Sequence, residues 1–334
     1  MAGETMMRAR LGVSAALALA LAMVMALALS GPTHGAAAEE PGASGQAACL
    51  RELVVLGTGQ DAGAPQIGHA NDAGEPLLPT SLALVDREAG ARYLFDATPA
   101  ITRQLAALDS LEPPAQGLGI DGIFLTHAHI GHYFGLAWLG TEAAGARGVP
   151  VFAMPRMAGF LRANGPWSQL VDNGNITLVE MAEGAFTVLT DDFGVLPIRV
   201  PHRDEFSETV GFVIMTPDLR ALYLPDIDSW ETFEAQSPTS LQQLVAGVDY
   251  AFIDATFWDD GELGERDMSA VPHPRAKAVM ERLSSLPDAE RAKVRFIHMN
   301  HTNPLRDPAS AQSRAVDAAG FAVARRGMRV CLSS

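Results

Sequence analysis

The chain has 334 residues, a formal charge of −15, 48% hydrophobic residues and only two cysteines. The acidic excess argues against nucleic acid or an anionic membrane surface as a partner, and two cysteines argue against a cysteine-based metal centre. The hydrophobic fraction is ample for a large core. At the N-terminus, Arg8 and Arg10 precede an apolar run from Leu11 to Leu29, and Ala36-Ala37-Ala38 provides a small-residue cleavage site before Glu39. This is the pattern of a secretory signal peptide, although the run is long enough for a retained membrane anchor to compete. The expected organisation is a signal peptide over 1–38, a flexible lead-in over 39–48 and one domain over 49–334. The protein would be periplasmic or secreted, with no stable anchor after cleavage. Cys49 and Cys331 lie near the two ends of that domain. In an oxidising compartment they could pair, or they could remain buried thiols.

From Arg51 onward, short apolar strands alternate with helices. Strands are expected at Leu53–Leu56, Leu82–Val85 and Tyr93–Phe95, with a turn around Arg87–Gly90. Asp96 to Pro99 suits a helix start, and Ala100–Leu108 reads as helical. Ile123–Leu125 reads as a buried strand. A helix is expected over Leu136–Ala146, a strand over Val149–Ala153 and a short helix over Arg156–Ala163. Ile176–Val179, Phe186–Leu189, Val195–Val200, Val210–Met215 and Ala221–Leu224 read as a run of antiparallel β structure. Helices return at Leu241–Val245 and Arg275–Leu286, a strand at Val294–Ile297, and a last helix near Pro308–Ala318. Strand-rich and helix-bearing stretches in both halves suit two sheets flanked by helices.

The chemistry concentrates in Thr126-His127-Ala128-His129-Ile130-Gly131-His132, where a buried strand ends in three histidines. A loop held by a rigid sheet is a natural place for chemistry, and clustered imidazoles suit zinc, iron and similar metals. This stretch resembles the metal-binding signature of the metallo-β-lactamase fold superfamily, His-x-His-x-Asp-His. Gly131 stands where that signature has Asp. The opening segment Leu56 to Gln66, Pro201-His202-Arg203, Tyr223 to Asp228 and His298 to Pro304 resemble the pyrroloquinoline quinone biosynthesis protein B branch of that superfamily.

The resemblance implies an α+β fold, an αββα four-layer sandwich of two mixed β-sheets flanked by helices, with metal at one edge. It implies His127, His129 and His202 as ligands of a first metal, and His132, Asp226 and His298 as ligands of a weaker second. The ion would be zinc, one or two per chain, with iron or manganese as other possibilities. His301 rivals His298 as the late ligand. His301 and Asp228 are candidate proton shuttles, and Asp228 alternatively caps a helix starting at Ser229. Asp96 and Asp254, at the ends of apolar runs, are expected to orient ligating imidazoles. Arg203 and His273 are candidates for substrate binding at the rim.

The activity implied is hydrolysis of an ester, lactam or phosphodiester-type small molecule, with the metal lowering the pKa of bound water toward ~7 to supply hydroxide. An iron-dependent oxidative reaction and a non-catalytic metal- or ligand-binding role are the alternatives. The export signal, and the absence of cysteines in Ile67 to Asp72, suggest an exported paralogue within the branch.

Overall fold

Alternation along each strand builds the molecule, because successive side chains point to opposite faces of a sheet. A computed structural model describes residues 49–69, 72, 75–190 and 193–333. The signal peptide and lead-in expected over 1–48 lie outside the described residues.

The first sheet comprises β1 (Arg51–Gly57), β2 (Ser81–Asp86), β3 (Ala91–Phe95), β4 (Gly122–Phe124), β5 (Val149–Ala153), β6 (Ile176–Glu180) and β14 (Arg329–Ser333). Its order is β14-β1-β2-β3-β4-β5-β6. The second comprises β7 (Thr187–Thr190), β8 (Phe193–Arg199), β9 (Val210–Met215), β10 (Arg220–Leu224), β11 (Tyr250–Asp254), β12 (Val294–Ile297) and β13 (Ala322–Val323). Its order is β13-β12-β11-β10-β9-β8-β7. Each sheet is antiparallel on one side and parallel on the other. The parallel parts run from β3 to β6 and from β10 to β13.

Between the sheets lies an aromatic core. Phe95 and Phe124 stack with ring centroids 5.2 Å apart, and they meet Phe212 and Tyr223 of the second sheet at 5.7 and 6.0 Å. The opposite faces carry Val54, Leu94 and Ile123 in one sheet and Leu222, Leu224 and Ile253 in the other. Helices at 101–111, 155–163 and 167–172 cover the first outer face, and helices at 230–236, 241–246, 276–283 and 311–318 cover the second. The four-layer α+β sandwich is therefore as expected.

Two elements differ from the sequence reading. Ile176–Glu180 does not join the antiparallel run; it pairs parallel with β5 at the edge of the first sheet. In place of a helix over Leu136–Ala146 there is one helical turn, Ile130–Tyr133, then a 3₁₀ segment, Phe134–Leu139, and a turn. Gly135, within the 3₁₀ segment, packs closely: a Cβ there would fall 2.1 Å from the Thr98 carbonyl oxygen. Downstream, Gly145 takes the left-handed backbone that ends a helix, at φ 56°.

Cys49 and Cys331 form a disulfide, with Cα atoms 5.7 Å apart across a sequence separation of 282. It joins the lead-in of β1 to β14, its neighbour in the sheet. Closing so long a loop removes much entropy from the unfolded chain, on the order of 3–5 kcal/mol. The expected result is that reduction, or the Cys49→Ser/Cys331→Ser pair, lowers unfolding stability by that amount. Chemical denaturation with and without reductant measures it, and equal midpoints would show that the bridge contributes nothing.

Candidate metal centre

The parallel strands of both sheets point their carboxyl ends at one edge of the sandwich, the usual place for a site in such sheets. β3 delivers Asp96, the segment after β4 delivers His127 to His132, and the segment after β8 delivers His202. β10, β11 and β12 lead to Asp226, Asp254 and His298. Among the described non-glycine residues with a left-handed backbone are Asp61, Asp96, His273 and His298, at φ 49°, 67°, 80° and 67°. All four gather around these side chains. Such conformations cost of order 1–3 kcal/mol each and persist where surrounding structure imposes them.

Two carboxylates organise the imidazoles in matching ways. Asp96 accepts from Thr126 Oγ1 at 2.9 Å, and Thr126 Oγ1 lies 3.0 Å from His127 Nδ1. Asp96 also lies 2.8 Å from His132 Nδ1 and accepts from the Tyr223 hydroxyl at 3.0 Å. On the other sheet, Asp254 accepts from Thr256 Oγ1 at 2.7 Å, and Thr256 Oγ1 lies 2.9 Å from His298 Nδ1. Asp254 also lies 2.7 Å from His273 Nδ1. Each aspartate thus holds one imidazole directly and a second through a threonine, which fixes the tautomer; His127, His132 and His298 turn Nε2 toward Asp226, whereas His273 faces it with Nδ1. The sequence reading anticipated the aspartates but missed Thr126, Thr256 and Tyr223. Each threonine lies within two residues of an expected group, at a strand end, and that was the available signal.

The inward-facing atoms form three overlapping sets. His127, His129 and His202 offer donors within 4.8 Å of one another; so do His127, His132 and Asp226, and so do Asp226, Asp254, His273 and His298. His202 Nε2 and His129 Nδ1 approach to 3.1 Å, while Asp228 holds His202 Nδ1 at 3.0 Å and Glu205 holds His129 Nε2 at 3.2 Å. Asp226 Oδ2 sits between the sets, 2.9 Å from His132 Nε2, 3.2 Å from His298 Nε2 and 3.8 Å from His127 Nε2.

A cation fits these donors. His127 Nε2 and His298 Nε2 are buried and make no hydrogen bond, a costly arrangement unless something else satisfies the lone pair. Burial and the neighbouring imidazoles, His132 first, hold His127 well below the usual imidazole range, so it is a neutral donor at neutral pH. Burial alone would raise the Asp226 carboxyl, but His298, His132 and His202 outweigh it and hold it well below the usual carboxylate range. Burial disfavours charge on His132, yet Asp96 and Asp226 outweigh it and push its pKa up to about 10 in the metal-free chain, so a cation bound at His132 would displace a proton.

The structure brings together His127, His129, His132, His202, Asp226 and His298, and places three other candidates differently from the expectation. His301 is not at the centre: its Nδ1 lies 3.1 Å from Asp72, and its ring is 4.5 Å from that of His69. Those three groups form a separate, partly exposed cluster. Asp228 is occupied with His202 rather than poised as a shuttle, and the helix cap at 229 is Ser229 itself, accepting from the Thr232 amide. His273 is not a rim residue: it is buried among the donors, its ring 5.3 Å from His202 and 5.6 Å from His298. Arg203 is exposed, and its charge acts on His129, Glu205 and Asp228.

Gly131 leaves no gap where the signature has Asp. A Cβ there would fall 2.5 Å from the carbonyl oxygen of Asp61, because the loop after β1 occupies the space. Gly131→Asp is therefore expected to destabilise the protein by about 1–3 kcal/mol through overpacking, without raising its metal content. Thermal unfolding and elemental analysis check this, and a variant that gains metal at unchanged stability would contradict it.

Comparison with known proteins agrees with this geometry. A sequence model described as the β-lactamase superfamily domain matches residues 91–299. Coenzyme PQQ synthesis protein B of Bradyrhizobium diazoefficiens is 25% identical over 315 residues, covering 85% of this chain and 100% of its own. The structure is similar to zinc-bound PqqB from Methylobacterium extorquens, with a TM-score of 0.67, 20% identity and coverage of 84% of this chain and 99% of that one. It is also similar to a diphosphatase of the PhnP family, at TM-score 0.60, 20% identity and coverage of 84% and 96%. With a histidine and aspartate cluster at the edge of a two-sheet sandwich and a domain match over most of its length, the chain belongs to the metallo-β-lactamase superfamily and resembles its PqqB-like branch.

Proposed function

We propose that this protein is a metal-dependent hydrolase, exported from the cell, that cleaves an ester, lactam or phosphodiester-type bond in a small molecule. The observation that carries this reading is the pair of buried Nε2 atoms of His127 and His298, which make no hydrogen bond and lie beside the Asp226 carboxylate. Zinc is the proposed ion, because it suits nitrogen-rich donor sets with an open position and because the PqqB structure from Methylobacterium extorquens is zinc-bound. His127, His129 and His202 would hold one ion, and His132, His298 and Asp226 a second. Such an ion polarises the scissile group and lowers the pKa of bound water.

The chain's own residues divide the remaining work. Asp96, Asp254 and Asp228 hold the imidazoles in place. His273 is the group placed to protonate a leaving group. Its Nδ1 is fixed by Asp254, and its ring lines a cleft of ≈ 340 Å³ shared with Asp228 and Trp230. Burial disfavours its charged form, but Asp254 and Asp226 outweigh this and raise its pKa above the ordinary imidazole value. Arg203, beside His202, suits an anionic part of the substrate. The Cys49–Cys331 bridge supports an oxidising compartment, in keeping with the expected signal peptide.

Elemental analysis of protein exported by its own signal and purified without chelators, followed by ester, lactam and phosphodiester panels, tests this reading. One or two zinc ions per chain and turnover on one panel are expected. A folded chain without metal, or stoichiometric iron with oxygen consumption, would overturn it.

A further inference from the structure

The open side of the centre is marked by one ligand. The side chains of His127, His132, His202, His273, His298 and Asp226 are 4% exposed or less, whereas that of His129 is 19% exposed. His129 is the most exposed of these donors, so the residues beside it wall an entrance to the centre.

That wall is apolar. Ile130 directly follows His129 and is 55% exposed, and Phe134, four residues on and 38% exposed, lies on the same side of the segment. Across the entrance, Glu205 holds His129 Nε2, and the Ala128 amide donates to Ser207 Oγ at 2.8 Å. Between these braces Phe206 stands 59% exposed. The two sides form one surface: Phe206 packs on Phe160 at 5.3 Å, Phe160 on Trp167 at 6.0 Å, and Trp167 on Phe134 at 6.1 Å. Ile130, Phe134 and Phe206 are thus exposed apolar side chains, and Phe134 and Phe206 are linked from beneath by the half-buried Phe160 and the buried Trp167; exposed apolar side chains grouped in this way mark a place where something binds. Here it adjoins buried polar donors, the combination that small-molecule sites use.

We infer that the substrate carries an apolar arm that lies along Ile130, Phe134 and Phe206 while its polar group faces His129. The inference rests on the hydrolase reading for the polar group and on the wall alone for the arm. The occupant is a small molecule because the strip leads to the donors, and the chain's acidic excess disfavours an anionic bilayer.

The test uses n-alkylphosphonates from methyl to octyl, titrated calorimetrically into the zinc-loaded chain as exported. The slope of affinity against chain length reports the wall. The effect of zinc on affinity at a fixed chain length reports the metal centre. Burying methylenes on the strip is expected to tighten binding by about two- to fourfold per CH₂. Ile130→Ser/Phe206→Ala should flatten the slope, whereas Val188→Ser, which removes an exposed apolar residue of the edge strand β7, should not. A flat slope in the wild type, or an equal slope in the double variant, would overturn the inference. So would capture by neutral phosphatidylcholine vesicles with no slope in the alkyl series. A slope that survives while zinc adds nothing would retain the wall and remove the metal reading.

Discussion

Asp226→Ala is expected to reduce bound metal to less than about a tenth of the wild-type content and to bring turnover to background. Among the described residues, Asp226 is the carboxylate that joins the donor sets, lying within 3.8 Å of His127, His132 and His298. Removing it withdraws an anionic ligand from two sites together and leaves the charge on His132 to Asp96 alone. Breaking a buried charge pair in this way typically costs about 3–5 kcal/mol, so the metal-free variant should also unfold more readily than the metal-free wild type. Asp226→Asn separates the two effects, because it keeps the shape and loses the charge: metal should still be lost while packing is retained. Asp96→Asn provides the scale. It disturbs an orienting group rather than a donor, and its cost should be about 10- to 100-fold in metal affinity. Elemental analysis and zinc competition titrations on the three variants read these outcomes. Wild-type metal content in Asp226→Ala would remove the carboxylate from the centre.

Much of this arrangement could be read from the chain, for physical reasons that differ by residue. Strands such as Leu53–Leu56 and Tyr93–Phe95 are legible because apolar runs bounded by turns have few other uses. Their extension into a sandwich follows from both faces being buried, as Leu94 on one side and Phe95 on the other illustrate. The triplet His127, His129 and His132 is legible because imidazoles at that spacing after a buried strand are costly without a purpose. His298 and His301 are another matter. Three residues apart in an irregular segment, they go to different neighbourhoods, and the choice is made by the left-handed backbone at His298 and by Asp72. No periodicity carries that information. The same limit hid His273, which sits between Pro272 and Pro274 like a loop residue, yet is turned inward at φ 80° to meet Asp254. The helix expected over Leu136–Ala146 is interrupted at its glycines: Gly140 caps the 3₁₀ segment and Gly145 takes a left-handed backbone.

His273→Ala is expected to lower kcat by about 10²- to 10⁴-fold, the usual range for a general acid, while leaving metal content near the wild-type value. The contrast with Asp226→Ala is the point of the experiment, since both residues lie within the same few ångströms. If His273 serves as the proton donor, its loss should fall on kcat, and substrates with good leaving groups, which need no proton, should be spared. The pH profile gives a second readout. The raised pKa means that His273 is protonated below that value and loses its proton as pH rises through it. The wild type should therefore lose kcat on the alkaline side, and His273→Ala should lack that limb. Asp254→Asn should shift the limb toward lower pH, because the carboxylate is the strongest group sustaining the charge on His273. Loss of metal in His273→Ala, with the alkaline limb unchanged in what activity remains, would instead make His273 a ligand. The second donor set would then be two imidazoles from late segments, His273 and His298, joined by His132 and Asp226.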